Sequence, residues 1–385
     1  MKIKLLSVLI LAFVLFGCES SGSSGTQRAS AGNQAPNHFN TPLKTVYQDY
    51  FPIGNIVNNN YLRGDFFEIL KTHFSVVTSE NNMKPDHLGP RERGGNYNFA
   101  PADNQIRIMA ENGIRMHGHT LIWHSQTHRW MTEGTPEQVR ENLVNHINTV
   151  MAHFKGRVTS WDVVNEAVRE RVNPGENYEL WRNHLRQESG WFKALGADYI
   201  DLAFRTARAA DPAVTLYYND YNLDNSRKAQ VVANMVREIN ARYRSEGNTR
   251  NLIEGVGMQA HYGLTTSVPN VRASIERFIA LGIEVSISEL DVEVRSVGSG
   301  SFGIGHSRRL SDMEQRQQAI KYAELFSLFK QYKDHIARVT LWGIDDEHSW
   351  KSLGNPCLWD ARLQPKQAFF AVANPTEALG IDENH

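Results

Sequence analysis

Residues 158–168 read VTSWDVVNEAV. An apolar run ending in Val163–Val164 stops abruptly at Asn165–Glu166. A strand that sends apolar side chains into a core gains nothing from a carboxylate at its tip, because an unpaired buried charge is costly. The pattern recurs along the chain. Short β-rich runs stand at YFPIGNI (50–56), FSVVTSE (74–80), GIRMHGH (113–119), VTLYYND (214–220), IEGVGMQAH (253–261), IEVSISELD (283–291) and RVTLWGID (338–345), which with 158–166 makes eight. Amphipathic stretches lie between them, and one is opened by Thr135 as N-cap with Pro136 at the first helical position. Strands alternating with helices predict a parallel sheet. Eight such units in one domain predict an α/β fold closed as a single (β/α)8 barrel. A doubly wound open sheet is the alternative, and the lack of a glycine-rich phosphate loop after the first run counts against it.

The chain has 385 residues, 41% hydrophobic and 10% aromatic, which is ample for a core and of a length that α/β barrels reach as one domain. A net charge of −1 gives no basic footprint, so no nucleic-acid partner is expected. Lys2 and Lys4 precede an apolar run, LLSVLILAFVLFG (5–17), of signal-peptide length and short for a membrane span. The run ends at Cys18 and resembles a bacterial lipoprotein signal, in which the small Gly17 precedes a lipidated cysteine. Residues 1–17 are thus expected to be a leader, Cys18 the lipidation site, and 18–40, rich in Ser, Gly and Asn, a flexible tether. The expected location is an exported lipoprotein on the outer membrane, facing the periplasm or the cell surface, with a lipid anchor as its only membrane contact. One catalytic domain is expected over 41–375, followed by a polar tail, 376–385. Cys357, the only other thiol, reads as a small buried hydrophobe.

Seven of the runs finish in polar or aromatic groups: Glu80–Asn81, His117–His119, Asn165–Glu166, Asn219–Asp220, Gln259–His261, Glu289–Asp291 and Trp342–Asp345. In a barrel all strand C-termini share one face, where active sites of this fold sit. Glu166 ends the fourth run and Glu289 the seventh, so the two face each other across the mouth. One strand-end glutamate could as well be half of a structural ion pair. Two, among His, Asn, Gln and Trp at the other strand ends, point to catalysis. Cleaving a glycosidic bond needs one carboxyl to protonate the leaving oxygen and another at the anomeric carbon. Flat aromatic faces suit pyranose rings.

His117 and His119 alternate onto one face of the third run, a spacing that can bind a metal, but no further ligand falls in place and neither Cys has ligand spacing. No metal and no cofactor is expected. Trp161 reads as core, one of Tyr217 and Tyr218 as core, and Arg308–Arg309 as a solvated loop charge.

The motifs TSENNMKPD, GHTLIWHSQ, WDVVNEAV, YYNDYN, GMQAHY, SISELDV and LWGIDDEHSW, in this order over nearly all of 41–375, together resemble glycoside hydrolase family 10, the endo-β-1,4-xylanases. The resemblance implies a retaining double displacement on internal β-1,4 linkages of xylan and xylooligosaccharides, and a monomer is the expected state. It implies that Glu166 is the acid/base and Glu289 the nucleophile. Asn165 would hold the sugar 2-hydroxyl, and His261 with Asp291 would orient the nucleophile. Asn81, Lys84, His119, Trp123 and Gln126 match the glycone-side subsites. Gln259 matches a residue near the nucleophile, Trp342 and Trp350 match aromatics walling the bound sugar, and Glu80 matches a polar residue of the same cleft. The chain departs from the family at Asn82, in the loop LGPRERGGNYNF with Arg91, Glu92 and Arg93, and at Cys357. The first two are expected to bear on distal glycone contacts. A carbohydrate-binding lipoprotein without turnover and a sibling β-1,4-glucanase or exo-xylosidase are the competing readings.

Overall fold

The computed structural model describes residues 42–295 and 303–380. The expected leader, Cys18 and the tether to residue 40 lie outside the described residues, as do 381–385. The family of short runs becomes eight parallel strands: β1 Ile53–Val57, β2 Val76–Ser79, β3 Arg115–Trp123, β4 Ser160–Asn165, β5 Thr215–Asp220, β6 Gly255–Met258, β7 Glu284–Glu293 and β8 Ile336–Leu341. Each pairs with the next in parallel register, and β8 closes on β1 with Ile53 opposite Val339, so the barrel leaves no edge unpaired.

The C-terminal ends of the strands differ from the expected runs by more than two residues in three places, each of which shapes the mouth. β3 continues to Trp123 and sets it opposite Asn165 of β4. β6 stops at Met258, and Ala260 adopts a left-handed φ of 63°. The segment His261–Gly263 then pairs with Asp291–Glu293 of β7, which brings His261 beside Asp291. β8 ends at Leu341, so Trp342–Asp345 lie in the following loop. There Gly343 takes a φ of 145°, a conformation that L side chains rarely adopt.

The helices cover the barrel with one continuous apolar core. Pro136–Phe154 begins where its sequence predicts: the Thr135 hydroxyl accepts from the Gln138 N–H, and the Gln138 side chain accepts from the Thr135 N–H. Its buried stripe is Val139, Leu143, Ile147, Val150 and Phe154. Trp161 is core, and it lies where a Cβ on Gly118 would stand. Both Tyr217 and Tyr218 are buried, on opposite sides of the strand. Tyr218 joins the outer core, whereas Tyr217 enters the barrel interior and donates to Glu284 at 2.5 Å. Arg309 is exposed in its loop as expected, while the partly exposed Arg308 forks onto Glu314, the N3 residue of the capping box that opens the helix Asp312–Gln331. Cys357 is buried against Gly343, and burial raises its thiol pKa. The boundary expected at residues 375 and 376 falls inside a short helix, Pro375–Ala378, capped by Asn374. Among the described residues no helix is long and apolar enough to cross a membrane.

Candidate active site

A cleft of about 950 Å³ opens over the C-terminal ends of the strands. Thirteen of the fourteen residues singled out in the sequence line it: Glu80, Asn81, Lys84, His119, Trp123, Gln126, Asn165, Glu166, Gln259, His261, Glu289, Trp342 and Trp350. The fourteenth, Asp291, is buried behind His261.

Glu289 ends a chain of polar contacts. His261 bridges Asp291, with Nδ1 2.9 Å from Oδ2, and Glu289, with Nε2 3.1 Å from Oε2. Trp350 donates its indole N–H to the same Asp291 oxygen at 3.0 Å and lays its ring 4.7 Å from that of His261. Burial opposes the imidazolium, but the two carboxylates outweigh it and raise the His261 pKa to about 9. Both ring nitrogens therefore donate at neutral pH. Burial by itself would raise the Glu289 pKa. The hydrogen bond from His261, the fields of His119 and His261, and the Asn219 amide together hold it below the usual carboxylate range.

Glu166 has a different setting. Its Oε2 accepts from the Trp123 indole N–H at 2.9 Å and its Oε1 from the Gln259 amide at 2.9 Å, both neutral donors. Its backbone φ is 55°, which turns the chain sharply off β4. The Asn165 amide lies 2.9 Å from that of Asn219 and 3.3 Å from that of Gln259.

On the other flank the Lys84 ammonium donates to Asn81 at 3.0 Å and Gln126 at 2.9 Å and sits 5.1 Å from the centre of the Trp123 ring. Burial lowers its pKa, while Glu289, Glu80 and Glu166 pull it back up. Glu80 accepts from Asn58 at 2.8 Å. Trp342 meets His119 edge to face at 5.6 Å.

Of the two strand-three histidines, His117 is buried in the barrel interior, whereas His119 lines the cleft and turns its Nδ1 inward. His119 Nδ1 and His117 Nε2 both approach Asp162 Oδ2, at 2.9 and 3.0 Å. His117 also contacts Ser160 and Arg338, and burial lowers its pKa to about 4. The departures from the family pattern do not line the cleft. Asn82 faces Asn59, and Arg93 folds onto Asn142, the Trp130 ring and the carbonyls of Trp130 and Glu133. Arg91 and Glu92 in the same loop are exposed.

One residue of the centre was missed. Asn219 donates to Glu289 Oε1 at 2.8 Å and is fixed by the Ser288 hydroxyl, which donates to its carbonyl at 2.6 Å. Gly257 leaves room for it, since a Cβ there would stand 2.1 Å from its Oδ1. The signal was its place at the polar end of the fifth run. Arg186, Tyr221 and Asn222 also line the cleft, and no motif pointed to Arg186.

Barrel and site together define a (β/α)8 protein of the glycoside hydrolase class, with one carboxylate just past β4 and one in the C-terminal half of β7 lining an aromatic-walled cleft. The chain belongs to glycosyl hydrolase family 10, whose model matches residues 42–375. It is 36% identical over 346 residues to endo-1,4-β-xylanase A of Thermotoga maritima, a match covering 86% of this chain and 30% of that protein. The chain thus spans about a third or less of that relative's length. It is 34% identical over 340 residues to the β-1,4-xylanase of Dictyoglomus thermophilum, covering 86% of this chain and 90% of that one. Among solved structures, a family 10 xylanase from termite gut that contains a bacterial Ig-like domain matches with a TM-score of 0.80. The identity is 37%, over 87% of this chain and 77% of that one.

Proposed function

We propose that the protein is an endo-1,4-β-xylanase acting by retaining double displacement. The observation that carries this is the unlike setting of the two glutamates: Glu289 is held ionised against an imidazolium, whereas Glu166 faces it with neutral donors on both oxygens. In the first step the Glu289 carboxylate attacks the anomeric carbon. Glu166, protonated, gives its proton to the leaving glycosidic oxygen, and a xylosyl ester forms. Glu166, now ionised, then takes a proton from water as that water attacks the same carbon. The ester bond breaks, Glu289 is freed, and the sugar leaves with its original configuration. Asn165 is positioned to hold the 2-hydroxyl.

The xylanase relatives support xylan as the substrate. Lys84, Asn81 and Trp350 line the cleft and, on this reading, would crowd a C5 hydroxymethyl group. Residues beyond β4 and β5, among them Tyr221 and Asn222, continue the cleft past the carboxylates, which suits internal cleavage. Xylohexaose should yield oligosaccharides of intermediate length. Release of xylose alone would make it an exo-enzyme, binding without new reducing ends would make it a binding protein, and equal cleavage of cellohexaose would defeat the steric argument.

His261 gives a pH test. In His261→Asn the carboxyl of Glu289 loses the hydrogen bond and charge that lower its pKa, so its pKa rises. The acid limb of kcat/KM, set by ionisation of Glu289, should therefore move to higher pH. A limb that stays in place removes His261 from this role.

We also infer export, lipidation at Cys18 and action as a tethered monomer, on the strength of the leader-like run and the Ser/Gly-rich stretch. Palmitate should label the wild-type protein and leave Cys18→Ser unlabelled, and sedimentation of the solubilised protein should give the mass of one chain.

A further inference from the structure

We infer that Tyr218 and Arg186 are positioning residues for acid catalysis: they clamp the peptide that follows Glu166 and so keep its carboxyl on target. This rests on the assignment of Glu166 as acid/base.

A glutamate at φ 55° occupies a sparsely populated conformation, which persists only where its surroundings over-determine it. Here they do. The Glu166 N–H is tied to the Asn219 carbonyl at 2.8 Å, the last rung it shares with β5. Beyond that rung the chain leaves the sheet, and two side chains take over. Arg186 Nε donates to the Glu166 carbonyl at 2.9 Å. The Tyr218 hydroxyl oxygen accepts from the Ala167 N–H at 3.0 Å and the Val168 N–H at 3.1 Å. Both polar groups of the 166–167 peptide are thus gripped by residues distant in sequence, and the peptide cannot rotate without breaking one grip.

The hydroxyl is itself oriented. It donates to Asp220 Oδ2 at 2.5 Å, and Asp220 Oδ1 receives the Lys228 ammonium at 2.7 Å. With its proton committed to a carboxylate, the phenol turns its lone pairs toward the two N–H groups. Tyr218, Asp220 and Lys228 are all buried, and none of the three lines the cleft. Such a network has no contact to offer substrate, and its output is the direction in which Glu166 points. Proton delivery requires hydrogen-bond reach to the glycosidic oxygen, and a displacement of about 1 Å can cost on the order of 100-fold.

A loss of acid catalysis is visible in leaving-group dependence, which a general loss of folded protein does not alter. The test measures kcat/KM for aryl β-xylobiosides with leaving groups from phenol to 2,4-dinitrophenol. It compares the wild type with Glu166→Ala, Tyr218→Phe and Arg186→Lys. The dinitrophenolate leaves without a proton, so only the poorer leaving groups report on Glu166. Tyr218→Phe should lose about 10- to 100-fold on the phenyl substrate and less than about threefold on the dinitrophenyl one. Arg186→Lys, which keeps the charge but not the Nε donor, should show the same tilt, and it carries the test if Tyr218→Phe does not fold. Both variants lowering every substrate by one common factor, or by none, overturns the inference while leaving the assignment of Glu166 intact. A flat profile in Glu166→Ala overturns that assignment, and the inference with it.

Discussion

Glu289→Ala is expected to lower kcat/KM on xylooligosaccharides by on the order of 10⁵-fold, about 7 kcal/mol of transition-state stabilisation. The loss is large because the covalent route disappears altogether, and water at neutral pH is a poor substitute for a fixed carboxylate. The variant leaves a cavity whose walls still carry the Asn219 amide and the His261 imidazole, the two groups that held the missing carboxylate. A small anion fits that setting. Added azide should enter it and attack the anomeric carbon from the vacated side, giving an α-glycosyl azide of inverted configuration when the leaving group is activated. A β-azide from this variant would exchange the roles assigned to the two glutamates.

Glu166→Ala should behave differently. Loss of general acid catalysis is expected to cost about 10²- to 10⁴-fold on xylan, whose leaving oxygen must be protonated. Formation of the xylosyl ester from a dinitrophenyl substrate should survive, because that leaving group needs no proton. The ester should then persist, since no base remains to activate water. Trp123 Nε1 and Gln259 Nε2 stay in place around the space left by the carboxylate. Azide held there attacks the ester from the opposite side to Glu289, so the product should be a β-glycosyl azide of retained configuration. Equal losses on xylan and on the dinitrophenyl substrate would show that Glu166 does something other than move a proton.

Much of this was legible in the sequence because barrel topology does simple work. An apolar run that ends in a carboxylate has few physical excuses, and eight runs in alternation with helices put every such ending on one face. That was enough to bring Glu166, Glu289, Lys84 and His119 together from four different strand-and-loop units. What escaped was whatever depends on register and backbone turns. The role of Asn219 follows from its pairing opposite Asn165 and from the space left at Gly257. The pairing of His261 with Asp291 was implied by the family resemblance, but its physical cause, the break at Ala260 and the return of 261–263 to β7, was not. The left-handed turn at Glu166 is invisible without coordinates, and so is the reach of Arg186 from twenty residues downstream to its carbonyl. Arg93 shows the opposite case: charge in a loop near the mouth suggests a substrate contact, but this side chain is engaged by the helix Pro136–Phe154 and the turn before it.

The stereochemistry of the first product separates a double displacement from a single one. Hydrolysis of xylohexaose by the wild-type protein, followed by proton NMR from the first minutes, should show the β-anomer of the new reducing end appearing first. The α-anomer should grow in later by mutarotation. A product that is α from the outset would mean a single displacement by water. Glu289 could then not be a nucleophile, and the account of the site given above would be contradicted.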